Sequence, residues 1–506
     1  MQLDILFIHS NASEEIYQGL SKEHSGIETP IWAGMLAQHC RMKGYGVQIL
    51  DCEAERLNYK EATNLIVEAN PRIACFVVYG QQPSASSQNM KGAIALAQEL
   101  KKISHIKILF VGGHVSALPY EVLQEDCVDL ICQNEGIKTI SNLLMCDNFN
   151  DTSLLEKIKG LGFKYNDGKT TYHLNQIDPI IPQDKLQEEL PGIAWDLLPS
   201  PTKYRTAGWH SWPNNSIKSP FASIYTSLGC PFKCLFCMIN IINREDNSPD
   251  ATSNKSANFR YWEPEFTINK LDKLANMGIR NLKIADEMFI LREQHFMKLC
   301  ELISERKYNF NIWCYGRVDC TKLKYLEALK KAGVNWIALG IESPNQTVRK
   351  DVIKGGYKEV KIKDVVNEIR NAGINVCANY IFGLPEDNLQ TMQETLDFAM
   401  DLNTENANFY ATQAYPGSPL YYQAKTNGWK LPDKYEGYSQ HSYWTQNLPS
   451  KYLSAAEILK FRDQAWIKYF TNITYLNMLE KKFGIAARND VENSTKINLK
   501  RKILND

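Results

Sequence analysis

Short apolar runs alternate with amphipathic stretches from Met1 to about Met145. The runs Asp4–Ile8, Val47–Asp51, Ile73–Val78, Lys107–Val111 and Asp129–Cys132 have strand length, and the stretches Ile31–Lys43 and Lys91–Lys101 carry helical periodicity. Continuous apolar strands separated by amphipathic helices predict an α/β fold, a doubly wound parallel sheet covered on both faces. Ligands of such sheets bind beyond the carboxyl ends of the strands. That directs attention to the loops His9-Ser10-Asn11, Gly80-Gln81-Gln82-Pro83-Ser84, Gly112 to Pro119, and Asn134-Glu135-Gly136.

The rhythm breaks over 146–215. An Asp167-Gly168 turn between alternating flanks predicts a hairpin over Gly162–His173, and prolines 179, 182, 191, 199 and 201 mark an extended linker. Strand and helix then alternate again over 216–425. Runs ending at Gly278, Gly333 and Gly373 read as helices stopped by a left-handed residue, each leading into a strand. With Ala222–Tyr225, Phe310–Tyr315 and Asn406–Thr412 this makes six strands and predicts a partial (β/α)6 barrel with its site at the strands' carboxyl ends. Residues 426–506 read as a helical C-terminal region, clearest over Leu453–Phe470, with a polar tail that frays from Arg488.

The chain has 506 residues, more than one core usually supports, so several domains are expected. Its 57 basic and 57 acidic residues balance, so no global field favours nucleic acid or an anionic membrane. No run approaches the roughly 20 apolar residues of a membrane span, and no leader pattern opens the chain. The 13 cysteines, an odd number scattered through apolar segments, suit a reducing compartment. A cytoplasmic protein is the expectation.

Three of those cysteines form the pattern C-x3-C-x2-C in Cys230-Pro231-Phe232-Lys233-Cys234-Leu235-Phe236-Cys237. A structural zinc site needs a fourth Cys or His at comparable spacing, and none follows within twenty residues. Three thiolates can instead hold three irons of a [4Fe–4S] cube and leave the fourth open. The motif, after a short apolar strand and with Phe236 inside the loop, resembles the radical S-adenosylmethionine (SAM) superfamily, in which SAM chelates the free iron. Cys230, Cys234 and Cys237 are then the cluster ligands and catalytic residues.

The resemblance extends to the later strand ends. Asp286 and Glu287 stand where the superfamily binds the SAM amino group, and Arg317 offers a guanidinium to a carboxylate. Glu342 lies in Gly340-Ile341-Glu342-Ser343, and Gly383-Leu384-Pro385 resembles the segment flanking adenine. A doubly wound domain ahead of such a barrel resembles the cobalamin-binding members. There Ser84, Gly112, Gly113, His114, Glu135 and Gly136 fall at cofactor positions, the double glycine allowing close backbone approach. No D-x-H-x-x-G motif is present, so cobalt receives no histidine from it. His114 either touches the nucleotide tail or is a satisfied core histidine.

What the resemblance implies is a cobalamin-dependent radical SAM enzyme with a [4Fe–4S] cluster, SAM and cobalamin as cofactors. The activity it implies is methylation of an unactivated carbon. The alternatives are a rearrangement or ring-forming oxidoreduction without methyl transfer, and a cofactor-binding sensor without turnover. Expected partners are a small-molecule or natural-product substrate and an external electron donor such as flavodoxin or ferredoxin, with no nucleic acid and no membrane span. Trp209-His210-Ser211-Trp212 either closes the substrate pocket or packs between domains, and Tyr438 to Tyr443 is a similarly open case.

Overall fold

Apolar runs and strands coincide in the first domain of the computed structural model, which describes residues 3–80, 82–166, 168–247, 258–350, 352 and 361–506. Gln81 and the turn residue Asp167 lie outside that set. The strands are β1 (Ile5–His9), β2 (Val47–Asp51), β3 (Ile73–Val78), β4 (Lys107–Gly112), β5 (Leu130–Cys132), β6 (Leu161–Asn166) and β7 (Thr170–Leu174). They form one sheet in the order β2-β1-β3-β4-β5-β6-β7. The first five are parallel, and β3 is buried along its whole length because helices cover both faces.

The expected hairpin exists, but it is not part of a linker. β6 pairs antiparallel with β5, so the sheet runs past the expected boundary at 145 and ends at Leu174. The segment after it packs back on the same domain, Ala194 N donating to Gly34 O at 3.1 Å and Tyr204 Oη to Asp51 at 2.9 Å.

In the second domain β8 (Phe221–Ile224), β11 (Asn281–Ile284), β12 (Asn311–Arg317), β13 (Val334–Glu342), β14 (Asn375–Phe382) and β15 (Asn406–Ala411) form a parallel sheet ordered β15-β14-β13-β12-β11-β8. A two-stranded ribbon of β9 (Ser227–Leu228) and β10 (Arg260–Tyr261) stands beside it. β8 and β15 are the sheet's two edges, so the barrel has an open side.

A segment of the first domain crosses that opening. Ile27 makes an antiparallel bridge with Arg205 near the β8 edge, while Gln18 Nε2 donates to His441 O at 2.6 Å and Ser439 Oγ to Ile16 O at 2.9 Å. The 439–441 loop is itself tied to the β15 edge: the Gln440 side-chain amide accepts from Ala411 N at 3.0 Å and donates to Ala411 O at 2.8 Å. The polar aromatic cluster at 438–443 thus protects a strand edge.

Trp209 closes the barrel's floor, its ring 5.2 Å from Trp313 and 4.9 Å from Trp336. His210 is bonded to Thr206 and to Asn311 O. This stretch packs the barrel. The C-terminal region has helices over Ala455–Phe470, Ile473–Phe483 and Ile485–Thr495, but 430–453 is irregular apart from one 3-10 turn at Tyr435–Tyr438. The tail does not fray from Arg488. Arg501 is fully buried and its guanidinium holds Asp463 at 2.9 and 3.0 Å, which anchors the chain end.

Candidate active site

The cysteine loop leaves β9 and sits at the carboxyl ends of the barrel strands. Leu235 is held on both sides, its N–H donating to Val352 O at 3.0 Å and its carbonyl accepting from Leu420 N at 2.9 Å. Asn240 closes the loop by donating to Phe232 O at 3.1 Å. Cys230 is buried, Cys234 and Cys237 are half-buried, and all three are free thiols. Burial pushes Cys234 up to about 12 and Cys237 up to about 11, and neighbouring thiols push each other further in the case of Cys230. Thiolates here need a cation to stabilise them. Among the described residues no three His, Cys, Asp or Glu side chains converge on one ion; an iron–sulfur cube asks instead for single thiolates at separate corners, which this loop fits. Phe236 packs into the barrel core and the neighbouring Ala414–Leu448 cluster, anchoring the loop.

The two strand-end carboxylates after β11 have different tasks. Asp286 is fully buried and accepts from Thr226 N, Thr226 Oγ1 and Ser227 Oγ, each at 2.6 Å, so it braces the chain between β8 and the cysteine loop. Glu287 accepts from Gly229 N at 3.1 Å and from its own backbone N–H, and burial raises it to about 8. Glu342 sits at φ +62° where the register of β13 against β14 shifts, a conformation that costs a non-glycine residue energy and re-aims its side chain. Burial raises it to about 7, with Arg317 the opposing influence. Glu287 and Glu342 are half-buried and both act electrostatically on Cys237, with Arg260 and Arg317 as the respective opposing charges. Two acceptor carboxylates so placed fit the ammonium of SAM.

Other expected contacts are committed elsewhere. Arg317 forms a fork with Asp319 at 3.0 and 2.9 Å and lies 3.7 Å over the Phe232 ring, so it supports the loop. The amides of Gly383 and Leu384 are both taken by Asp387, and Gly383 packs against Ile458.

The loops of the first sheet meet the cysteine loop directly. A side chain on Gly112 would collide with Val78 O, and one on Gly113 would meet Met238 Cε at 3.1 Å, so the double glycine lets the two domains touch. Arg244 donates to Ser116 O at 3.1 Å, and Asn134 Nδ2 to Arg244 O at 3.0 Å. Glu135 is a brace: it accepts from Ile181 N at 3.0 Å and from Arg260 at 2.6 Å. His114 is the satisfied core histidine. Its Nδ1 lies 3.0 Å from Ser87 Oγ, its ring meets Tyr435 edge-on, and burial lowers it to about 3. Ser84 hydrogen-bonds Tyr415 across the domains, and Gly136 starts the helix Ile137–Leu144. Trp32, Tyr79, Gly113, Tyr225, Met238 and Glu287 border a narrow cavity between the two domains. Trp32 and Tyr79 stack there at 4.5 Å. Both domains contribute to this lining.

Sequence reasoning missed the phenols. Tyr17, Tyr225, Tyr315, Tyr410 and Tyr415 are all raised by burial yet keep partial exposure, which marks the lining of an interior chamber. A signal existed in β12, where Trp313, Tyr315 and Arg317 alternate onto one face.

Residues 19–144 match the B12 binding domain and residues 224–399 match the radical SAM superfamily. The chain is a radical SAM enzyme with a B12-binding domain. Its cofactors are accordingly a [4Fe–4S] cluster, SAM and cobalamin. It is 25% identical over 444 residues to an uncharacterized methyltransferase of Pyrococcus horikoshii, covering 87% of each chain. It is 24% identical over 468 residues to the anaerobic magnesium-protoporphyrin IX monomethyl ester cyclase of Cereibacter sphaeroides, covering 90% of this chain and 68% of that one. The fold matches the cobalamin-dependent SAM radical enzyme OxsB in its aqua-cobalamin form, with a TM-score of 0.66, 16% identity, and coverage of 98% of this chain and 72% of that one. Among the described residues no helix is long and apolar enough to cross a membrane.

Proposed function

We propose that this enzyme methylates an unactivated carbon of a small molecule. The observation that carries the reading is the direct packing of the cysteine loop on the B12 domain, Met238 against Gly113, which brings the two cofactor sites to one chamber. The methyltransferase relative supports it by covering 87% of each chain. When bound, the cluster and SAM supply a 5′-deoxyadenosyl radical and cobalamin supplies the methyl group. The protein's share is positioning and exclusion of water. Cys230, Cys234 and Cys237 hold the cluster, Glu287 and Glu342 accept from the SAM ammonium, and Asp286 fixes the backbone that carries the loop. An external one-electron donor such as flavodoxin or ferredoxin completes the system, and the cytoplasm is its place.

The test uses SAM labelled in its methyl group. Label in the product, with S-adenosylhomocysteine and 5′-deoxyadenosine formed together, is the expected result. The cyclase relative, covering 90% of this chain, favours a second reading, ring formation. That reading requires 5′-deoxyadenosine, unlabelled product and no matching S-adenosylhomocysteine, an outcome that would overturn methyl transfer.

A further inference from the structure

Lys283 is a charged residue in the middle of a barrel strand. It stands in register with Ser223 of β8 and Trp313 of β12, so these side chains share the barrel's inner face. Its ammonium lies 3.0 Å from both carboxylate oxygens of Glu28, 4.7 Å from the centre of the Trp313 ring and 5.7 Å from that of Tyr315. Glu28 belongs to the first domain and reaches Lys283 from the segment that crosses the barrel's open side.

The pair is asymmetric. The Lys283 side chain is 3% exposed and that of Glu28 is 35% exposed. Glu28 also acts electrostatically on Tyr17, Tyr225 and Tyr315, three of the phenols lining the chamber. Its carboxylate therefore borders the open interior while the ammonium is sealed into the wall. Beside them Ser223 Oγ is fully buried with no hydrogen-bond partner among the described residues.

Removing an ammonium from water costs several kcal/mol, and only a well-placed anion offsets this. A purely structural bridge would bury both partners and leave no spare donor beside them. Here the anion is the accessible partner, the spare donor is on the same face, and lysine's flexible stem lets one point charge exchange anions. An unpaired buried hydroxyl is costly until an acceptor arrives.

We propose that Lys283 and Ser223 anchor a carboxylate of the substrate, and that Glu28 occupies Lys283 until that carboxylate displaces it. The aromatic wall of Trp313 and Tyr315 selects a carboxylic acid with an apolar body. This rests on reading the chamber as the reaction site and is independent of whether the product gains a methyl group.

Phenylacetate is the probe, with phenylacetamide as its neutral counterpart, titrated calorimetrically into holoprotein whose iron and cobalamin contents have been measured. Glu28→Gln removes the competing anion, so it should bind phenylacetate at least tenfold more tightly than the natural protein and should not bind phenylacetamide. Lys283→Gln should lose phenylacetate binding, and Lys283→Arg should restore most of it. No gain in Glu28→Gln, or undiminished binding in Lys283→Gln, overturns the anchor. If Lys283→Gln fails to retain its cofactors, the Glu28→Gln titration alone decides. Absence of carboxylate binding beside intact label transfer would sink the anchor and leave methyl transfer standing, whereas the reverse pattern would sink methyl transfer alone.

Discussion

The guanidinium of Arg260 lies 2.6 Å from the carboxylate of Glu135, with both side chains about 95% buried. Arg260 also donates to Ile181 O at 2.7 Å and to Asn243 Oδ1 at 3.0 Å. One residue of the barrel's ribbon thus binds the sheet domain, the linker and the segment after the cysteine loop. Deleting one member of a buried pair strands the other charge. Glu135→Ala should lower unfolding stability by about 3–5 kcal/mol and weaken cobalamin retention on gel filtration, while Glu135→Gln should cost less. Thermal melts with unchanged midpoints in both variants would remove the brace from this account.

Cys234 and Glu342 separate cluster assembly from SAM binding. Cys234→Ala should leave the anaerobically reconstituted protein with little iron and no 5′-deoxyadenosine production. Glu342→Gln should keep the iron and weaken SAM binding by roughly tenfold or more, the worth of a charged hydrogen bond. Iron analysis and equilibrium binding of SAM check the two arms; a Glu342→Gln protein with undiminished affinity would take that carboxylate out of the site.

The contact between Gly113 and Met238 predicts a selective defect. Gly113→Val places a branched side chain where even a Cβ already meets Met238 Cε at 3.1 Å and Ser86 Cβ at 3.3 Å. The Met238 and Ser86 side chains must shift and the contact between the domains loosens there, so added hydroxocobalamin should elute free of the variant. The cysteines are untouched, and iron content should stay near that of the natural protein. Retained cobalamin would show that the cradle tolerates separation.

His114, His210 and His441 are each lowered to about 3 by burial, so all are neutral in the fold. The unfolded chain protonates them below about 6.5. Between about 3 and 6.5 the unfolded state therefore holds more protons, and stability falls as pH falls, while above 6.5 the contribution is complete. His210→Gln should reduce the loss between pH 7 and pH 5 by about 2 kcal/mol. Urea denaturation at the two pH values measures this, and an unchanged difference would contradict a neutral His210.

The alternation of apolar runs and amphipathic stretches located the strands of both sheets because buried parallel strands are apolar end to end. The antiparallel hairpin at 161–174 carried the same local pattern whether it stood alone or extended a sheet, and only its pairing with β5 decides. The cysteine loop was legible because its ligands are neighbours in sequence. Asp286, Arg317 and Glu135 were legible as charged strand-end residues but not as braces, since their partners Thr226, Phe232 and Arg260 lie elsewhere in the chain or on another element. The chamber's tyrosines looked like core aromatics, and only depth combined with residual exposure distinguishes them.

The barrel's open side is crossed by residues 16–28 of the other domain, which bond Arg205 near one edge through Ile27 and the loop tied to the other edge through Gln18. The unit of inheritance is therefore not the domain as the sheet defines it. A chimera that grafts a foreign B12 module onto this barrel would have to keep this short N-terminal stretch with its native host. A barrel expressed by itself would expose an unpaired seam between β8 and β15, inviting a second copy to fill it.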